Sequence, residues 1–380
     1  MRGWIKKGID AYLDFKSFKT DRQLVIIESD DWGSLRTKNK EILNKLNSIS
    51  SAVKKDNFTQ LDSIATAEDL QTMFEVLQSV KNKVGNPACF TANVCTANPD
   101  FKTIKASNFE DFFFVPFTET LKAYSANQDL FSLWKEGKNN QVFKPQLHGR
   151  EHLHALAWLA ELRAGNKDLL KAFELDTWGI PYTAVLKQHR KNLQAALDHY
   201  GVNGEAEYHK KWIEDSAAIF KTAFGYSANS FIAPAYTWHH NIHRHLANAH
   251  IKTLQGIKLQ YEPKHKNKTN YNRKVHFNGQ IDNPSGLVYY PRNVFFEPAS
   301  HPNKDWVSFT LKGIEKAFKN KEPAIISSHR INFIGRLDVQ HRDKNLSMLK
   351  EILKQIVKNY PYVEFIDSGQ LANILSIKSN

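Results

Sequence analysis

The sequence predicts an α/β fold built on a parallel sheet, and the number of repeating units favours a barrel. Apolar runs typical of buried strands alternate with segments of helical spacing along the 380 residues. Such alternation implies parallel strands joined by right-handed crossovers, and about seven units of this kind suit a barrel. In such barrels the functional side chains lie at the carboxyl ends of the strands.

Seven segments have the apolar character of buried strands, namely 24–27, 87–94, 230–233, 251–259, 287–290, 324–328 and 362–366. Apolar residues spaced as on one helix face predict helices at 66–84, 151–163, 184–200, 205–223, 239–249, 306–320 and 343–358. No repeat or Gly- and Pro-rich linker divides the chain, so we expect a single domain. This domain covers 1–380, with an amphipathic N-terminal extension at 1–20 and insertions at about 97–140, 160–220 and 260–285.

The composition is that of an ordinary globular chain. The sequence is 41% hydrophobic and 12% aromatic. No segment approaches the about 18 consecutive apolar residues that a membrane-spanning helix needs. The two cysteines are too few for a disulfide framework, and the N-terminus lacks the apolar run of a signal peptide. We therefore expect a cytoplasmic protein without a transmembrane segment.

The net charge of +13 is partly concentrated in a basic segment, 252–276. Three interpretations of this segment stay open: a lid over an anionic substrate, a peripheral contact with acidic membrane lipid, and a solvated loop without a partner. The charge also permits contact with nucleic acid. No recognised nucleic-acid motif accompanies it, so we expect no specific nucleic-acid partner.

The first predicted strand ends in two adjacent carboxylates, Asp30 and Asp31. Like charges brought together at the end of a buried strand each raise the cost of ionising the other. A cation bound by one carboxylate, with the other free for proton transfer, would explain the pair. The structural alternative is a turn or a helix N-cap, for which the following Gly33 and Ser34 are also suited.

Two histidines, His148 and His152, follow a short strand-like run at a spacing of four residues. On a helix this spacing places both imidazoles on one face, where they can bind one ion. A second pair, His239 and His243, has the same spacing but falls among other polar residues, which favours a solvated helix face. The first pair is therefore the better candidate for metal binding.

A third candidate, His329, directly follows the strand at 324–328, a position that favours a functional rim over a neutral core histidine. The order of an Asp-Asp pair, a His-x-x-x-His motif, an Ala-Pro strand end and a strand-terminal histidine resembles the polysaccharide deacetylase family, the NodB-homology carbohydrate esterases. The resemblance covers about residues 22–375. It implies a distorted (β/α)7 barrel with helical and loop insertions, and one divalent metal ion, usually zinc.

Carried onto this sequence, the resemblance makes Asp31, His148 and His152 the metal ligands, Asp30 the general base and His329 the general acid. A cation held by one carboxylate and two neutral imidazoles leaves positions open for water and a substrate carbonyl. The implied reaction is hydrolysis of an N-acetyl group. The base takes a proton from water, and the acid protonates the amine that leaves.

The sequence departs from the family pattern at the third motif. Ile232 stands where the family has an arginine that orients the base, and Ala235 stands where an aromatic residue is expected. Arg292, at the end of another predicted strand, is a candidate replacement for the missing guanidinium. Glu297 and Asp338 are both candidates for the acidic residue that orients the histidine acid.

Aromatic residues near the strand ends are candidates for sugar stacking. Trp32, Tyr236 and Trp238 have this position, and we assign them, with Arg292, to substrate binding. The alternative is that each aromatic ring belongs to the apolar core.

The leading interpretation is a metal-dependent deacetylase acting on an acetylated sugar or a saccharide precursor, for which a nucleotide- or lipid-linked, anionic sugar would suit the basic surface. One alternative is an amidohydrolase that cleaves a non-sugar carbon–nitrogen bond. Another is a non-catalytic protein that binds a saccharide or phosphate on the same barrel. Asp30 discriminates against the last alternative, because a binding protein has little use for a second carboxylate beside Asp31.

Overall fold

Each of the seven predicted strands has a counterpart in the structure. The computed structural model describes residue 13 and residues 15–181, 193–264 and 267–377. The strands are β1 (Leu24–Trp32), β2 (Phe90–Cys95), β3 (Ala97–Pro99), β4 (Phe114–Pro116), β5 (Phe143–Gly149), β6 (Ser230–Phe231), β7 (Thr253–Ile257), β8 (Leu259–Lys264), β9 (Asn267–Val275), β10 (Gln280–Asp282), β11 (Leu287–Arg292), β12 (Val294–Phe295), β13 (Ala324–His329) and β14 (Glu364–Phe365).

The helices cover the outside of the sheet and fill the insertions. They are α1 (Lys40–Leu46), α2 (Ser51–Lys55), α3 (Asn57–Leu61), α4 (Ala67–Gln78), α5 (Phe101–Ala106), α6 (Phe117–Tyr124), α7 (Leu130–Asn139), α8 (Ala155–Arg163), α9 (Lys167–Glu174), α10 (Glu205–Phe224), α11 (His243–Asn248), α12 (Trp306–Lys319), α13 (Val339–Asn359) and α14 (Ser368–Ile377). Short 3-10 helices occur at Pro234–Tyr236, His240–Ile242 and Arg330–Asn332. None of the helices in the described part of the chain is long and apolar enough to cross a membrane.

Parallel strands in chain order form the barrel. β1, β2, β5, β6 and β7 pair successively, and β7 pairs with β11. Asn293 separates β11 from β12, and β12 pairs with β13, which in turn pairs with β1. Only Asn293 lies between β11 and β12, so this run of chain pairs with β7 through β11 and with β13 through β12, as expected for the distorted seven-stranded barrel that the sequence predicts. β10 and β14 are added to β11 and β1.

Apolar packing on both sides of the sheet explains why polar groups at the strand ends are buried. β1 is buried over its whole length. The largest apolar cluster packs α4, α7, α10, α12 and α13 against the strands. A second cluster joins α1, α2, α8 and α9 around Trp158 and Trp178. The carboxyl ends of β1 and β5 carry the buried candidate residues between these two clusters.

Two sequence-based expectations are wrong in detail. The helix predicted over 151–163 begins only at Ala155, so His148 lies in β5 and His152 in the turn that follows. The basic segment is not a loop, because β8 and β9 form an antiparallel hairpin across most of it. Much of the predicted helix at 184–200 and most of the N-terminal extension lie outside the described residues.

Gly149 ends β5 and accounts for the break between this strand and the next helix. Its φ of +108° lies in a region that glycine adopts without steric cost. A Cβ built there would lie 1.7 Å from Cη2 of Trp212, so α10 packs directly against the glycine backbone. The adjacent His148 is thereby held at the strand end. Helix α8 starts only after His154, whose ring caps it by accepting from the amide of Ala157.

We expect Gly149→Ala to lower the free energy of unfolding by about 2–5 kcal/mol, because it combines a left-handed backbone with overpacking against Trp212. Gly225→Ala is the matched control, because its φ is +76° but an added Cβ would have no neighbouring atom within 4 Å. The control should lose only the backbone contribution, about 1–2 kcal/mol. Urea denaturation measures both, and equal losses would contradict the packing argument.

Candidate active site

An irregularity in β1 places both carboxylates in one cavity. Neighbouring residues of a regular strand point to opposite faces, so Asp30 and Asp31 would not normally meet the same ligand. The pairing of β1 with β2 shifts register between Ser29 and Trp32, and Asp31 has a φ of +72°. This bulge redirects Asp31. Both carboxylates consequently line one cavity of 170 Å³.

The three predicted metal ligands converge at this cavity. Oδ1 of Asp31 lies 3.4 Å from Nε2 of His148 and 3.5 Å from Nε2 of His152. One ligand atom from each of the three residues lies within 4.8 Å of the other two. Ligands placed about 2.1 Å from a tetrahedral zinc ion are about 3.4 Å apart, so the set has the spacing of a cation site.

The protonation of these side chains also fits a divalent cation. Nδ1 of His148 lies 2.9 Å from the carbonyl oxygen of Ile232, to which it can only donate, so Nε2 is the ring nitrogen left to face Asp31. This Nε2 and Oδ1 of Asp31 are buried and lack a hydrogen-bond partner within the described ranges. Burial lowers the pKa of His152 to about 4, which keeps its imidazole neutral at neutral pH. A cation would satisfy all three side chains.

Asp30 is held by a guanidinium from a distant strand. Nη1 and Nη2 of Arg292 donate to the two oxygens of Asp30, each at 2.7 Å, and Nδ2 of Asn93 donates to Oδ1 at 2.8 Å. Burial raises the pKa of Asp30, but the charge and hydrogen bonds of Arg292 outweigh burial and lower the pKa to about 2. The guanidinium that the sequence lacks at Ile232 thus comes from the end of β11.

Sequence reasoning does not single out two polar residues behind this ion pair. Nε of Arg292 donates to Oε2 of Glu28 at 2.6 Å, and Oγ of Ser368 donates to Oε1 of Glu28 at 2.6 Å. Glu28 precedes Asp30 by two residues, the spacing that places both on one face of a strand, so the alternation of β1 could have identified it. Ser368 is 340 residues away from Glu28 and leaves no comparable signal.

His329 lies at the end of β13, in register with Asp30 of β1. Its Nδ1 lies 2.6 Å from Oε1 of Glu297, and its Nε2 lies 3.8 Å from Oδ2 of Asp30. Burial by itself would lower the pKa of His329, but the charge and hydrogen bond of Glu297 hold that pKa well above its usual value. Nδ2 of Asn332 donates to Oε2 of Glu297 at 2.9 Å. The other acidic candidate, Asp338, caps α13 instead.

The aromatic residues assigned to substrate binding separate into two groups. Tyr236 lines the cavity, and its hydroxyl accepts from Nη1 of Arg292 at 3.1 Å. Trp32 is 1% exposed and Trp238 is 3% exposed, both within the apolar core. The assignment of Trp32 and Trp238 to substrate binding is therefore wrong, because these large rings gain more from burial than from contact with the cavity.

The second histidine pair does not share one site. His243 is buried with Nδ1 3.2 Å from Oδ2 of Asp282. The possible ligand atoms of His239 instead lie within 4.8 Å of those of His240 and Glu262. Nδ1 of His240 lies 2.8 Å from Oε1 of Glu262, and this hydrogen bond brings the two side chains together without a cation.

A larger cavity of 600 Å³ adjoins the one that contains the carboxylates. The two cavities share Phe58, Tyr236 and His329. Further walls of the larger cavity come from Ile257, Leu259 and Phe295. The arrangement has room for a small acyl group beside the candidate ligands and for a larger, partly apolar group next to His329.

No family model and no curated protein sequence matches this chain. Among solved structures, it is similar to a protein of Mycobacterium smegmatis described as a polysaccharide deacetylase, at 8% identity and a TM-score of 0.44, over 95% of this chain and 93% of that one. It is also similar to a pseudoenzyme of the CE4 family from Bacillus anthracis, at 8% identity and a TM-score of 0.37, over 92% of this chain and 66% of that one.

A third similar structure is the α-amylase AmyC from Thermotoga maritima, at 9% identity and a TM-score of 0.46, over 93% of this chain and 74% of that one. Such similarity does not assign an activity.

We expect the isolated protein to retain one divalent cation, and Asp31→Ala or His148→Ala to abolish its retention, because each removes a ligand atom. His240→Ala, in the other histidine group, is the matched control and should keep the cation. Metal content after gel filtration, measured by mass spectrometry, tests both. Equal content in wild type and His148→Ala would remove the assignment.

Proposed function

We propose that this protein is a metal-dependent hydrolase that removes an N-acyl group, most simply acetyl, from a sugar or saccharide precursor. The observation that carries the proposal is that one cavity contains two separate groups of side chains, one suited to bind a cation and one suited to transfer protons. The ligand atoms for a cation come from Asp31, His148 and His152. Asp30 and His329 line the same cavity, are not among these ligands, and can therefore transfer protons. A site that only binds a ligand needs the first group but not the second.

The candidate ligands would hold one divalent cation, most simply zinc, which when bound polarises a carbonyl and makes a water more acidic. Arg292 keeps Asp30 ionised at neutral pH and fixes both of its oxygens. Asp30 can therefore accept a proton from water that attacks the acyl carbon. Its lowered pKa keeps this carboxylate ready to accept a proton throughout the neutral range.

His329 supplies the proton that the reaction needs later. Its raised pKa keeps the imidazole protonated at neutral pH, and its Nε2 faces the same carboxylate, Asp30. When the carbon–nitrogen bond breaks, this Nε2 can protonate the amine, which is otherwise a poor leaving group. Glu297 stabilises the imidazolium and orients the ring through Nδ1.

The departure at Ile232 favours a second candidate, an amidohydrolase acting on a non-sugar carbon–nitrogen bond. The same residues would serve it, because attack of water and protonation of a leaving amine are common to both reactions. Release of acetate from acetylated sugars, compared with hydrolysis of cyclic and linear amides, distinguishes the two. A cytoplasmic location and an anionic substrate remain part of the proposal.

We expect Asp30→Asn to lower turnover by about 10²- to 10⁴-fold, the usual contribution of a general base. The cation should stay bound, because Asp30 is not among the candidate ligands. Asp21→Asn, at an exposed carboxylate on the surface, is the control. Acetate release and metal content are measured on the same samples. Undiminished turnover in Asp30→Asn would contradict the assignment of the base.

The pH profile tests the histidine acid. His329 must be protonated to act, so activity should persist above the ordinary histidine pKa and fall as pH rises through the raised one. Glu297→Gln removes the main cause of that raised pKa and should move the alkaline limb to lower pH. Asp338→Asn, at the cap of α13, should leave the limb in place. An unmoved limb in Glu297→Gln would argue against His329 as the acid.

A further inference from the structure

We propose that Arg36 is a specificity determinant of this site and that the substrate carries an anionic group, a carboxylate or phosphate, bound by its guanidinium. The inference rests on the proposed hydrolase function and names the class of substrate that the same cavity takes. Arg36 follows the end of β1 by four residues and lines the 170 Å³ cavity together with Asp31 and His152.

The guanidinium of Arg36 is buried but only partly satisfied. Its Nε lies 3.4 Å from Oδ2 of Asp62, a long hydrogen bond. Its Nη1 donates to the carbonyl oxygen of Gly179 at 3.1 Å and to Oε1 of Gln194 at 3.0 Å. Among the described residues, Nη2 donates to no protein atom, whereas Nε and Nη1 do. Because Arg36 lines the cavity, this remaining donor is available to a group bound there.

Asp62 does not fully neutralise the charge of Arg36, because its carboxylate forms a closer ion pair with Arg330. Nη2 of Arg330 lies 2.9 Å from each oxygen of Asp62, and Nε of Arg330 lies 3.1 Å from Oδ1. One carboxylate thus faces two buried guanidinium groups, and the closer contacts belong to Arg330. The positive charge of Arg36 is therefore only partly compensated and can attract an anion in the cavity.

The other cationic groups around the cavity have closer carboxylate partners. Arg292 is paired with Asp30 and Glu28 at 2.6–2.7 Å, and His329 with Glu297 at 2.6 Å. A divalent cation at the candidate ligands would add two further positive charges. The cavity with its cation would therefore favour an anion, and the open donor of Arg36 is the group that can bind it directly.

Aromatic side chains hold the guanidinium at the cavity wall. Cζ of Arg36 lies 5.0 Å from the ring centre of Phe58 and 5.1 Å from that of Trp178. Trp178 also stacks on His152, with ring centres 6.3 Å apart. A Cβ at Gly179 would lie 3.0 Å from Nη1 of Arg36, so the backbone approaches the guanidinium closely. A planar donor group fixed in this way is suited to a carboxylate or phosphate, whose geometry matches it.

Matched pairs of probes test the proposal with the zinc-loaded enzyme. Neutral N-acetylglucosamine is compared with its 6-phosphate and, separately, with N-acetylmuramic acid, which carries a carboxylate. The two comparisons distinguish a phosphate from a carboxylate as the anionic group. We expect kcat/KM of the wild type to be about tenfold to a hundredfold higher for at least one anionic member, the range of a charge-assisted hydrogen bond. Arg36→Gln should reduce this ratio towards one.

Two further variants separate recognition from folding and from general charge. Arg36→Lys keeps the positive charge and should retain part of the preference for the anionic substrate. Its unfolding temperature shows whether losing the contact with Gly179 destabilises the fold. Lys319→Gln removes an exposed charge on α12 and should leave the ratio unchanged. A wild type without preference for an anionic member, or equal ratios in wild type and folded Arg36→Gln, overturns the proposal.

A binding measurement keeps this inference distinct from the proposed function. If no acetylated sugar is hydrolysed, the hydrolase proposal fails, while calorimetric titration of the same phosphorylated sugar into Asp30→Asn and Asp30→Asn/Arg36→Gln still tests Arg36. We expect the double variant to bind the phosphorylated sugar at least about tenfold more weakly and the neutral sugar with similar affinity. Equal affinities for the phosphorylated sugar in the two proteins overturn the role of Arg36.

Discussion

Arg292 donates to both oxygens of Asp30 from a strand that lies 262 residues away in the sequence, and this buried ion pair organises the candidate site. A buried pair that loses one partner costs about 3–5 kcal/mol, because the other charge is left without compensation. Glu28 accepts the remaining Nε–H of the guanidinium. The orientation of Asp30 therefore depends on the position of Arg292 at the end of β11.

The bulge in β1 gives the adjacent carboxylates different environments. Asp31, in a left-handed conformation, turns towards the imidazoles of His148 and His152, whereas Asp30 stays in the ladder opposite His329. The same cavity can thus hold a cation on one side and move protons on the other. A regular strand would have sent one of these carboxylates to the opposite face of the sheet.

Charge pairing sets the protonation of each group at the site. Arg292 lowers the pKa of Asp30, whereas Glu297 raises that of His329, so both are charged at neutral pH. Two titratable groups with oppositely shifted pKa values are what a base and an acid in one reaction require. Arg36 shares its carboxylate with another arginine and is the cation left to recognise an anion.

The sequence by itself determines the parallel α/β barrel, the carboxylate pair at the end of β1 and the histidine at the end of β13. These follow from local features, namely apolar runs, alternation and the residue at which a strand ends. Tertiary structure decided that Arg292 supplies the guanidinium, that a turn carries His152 and that Trp32 enters the core. Each depends on contacts between segments distant in the chain, which local periodicity does not encode.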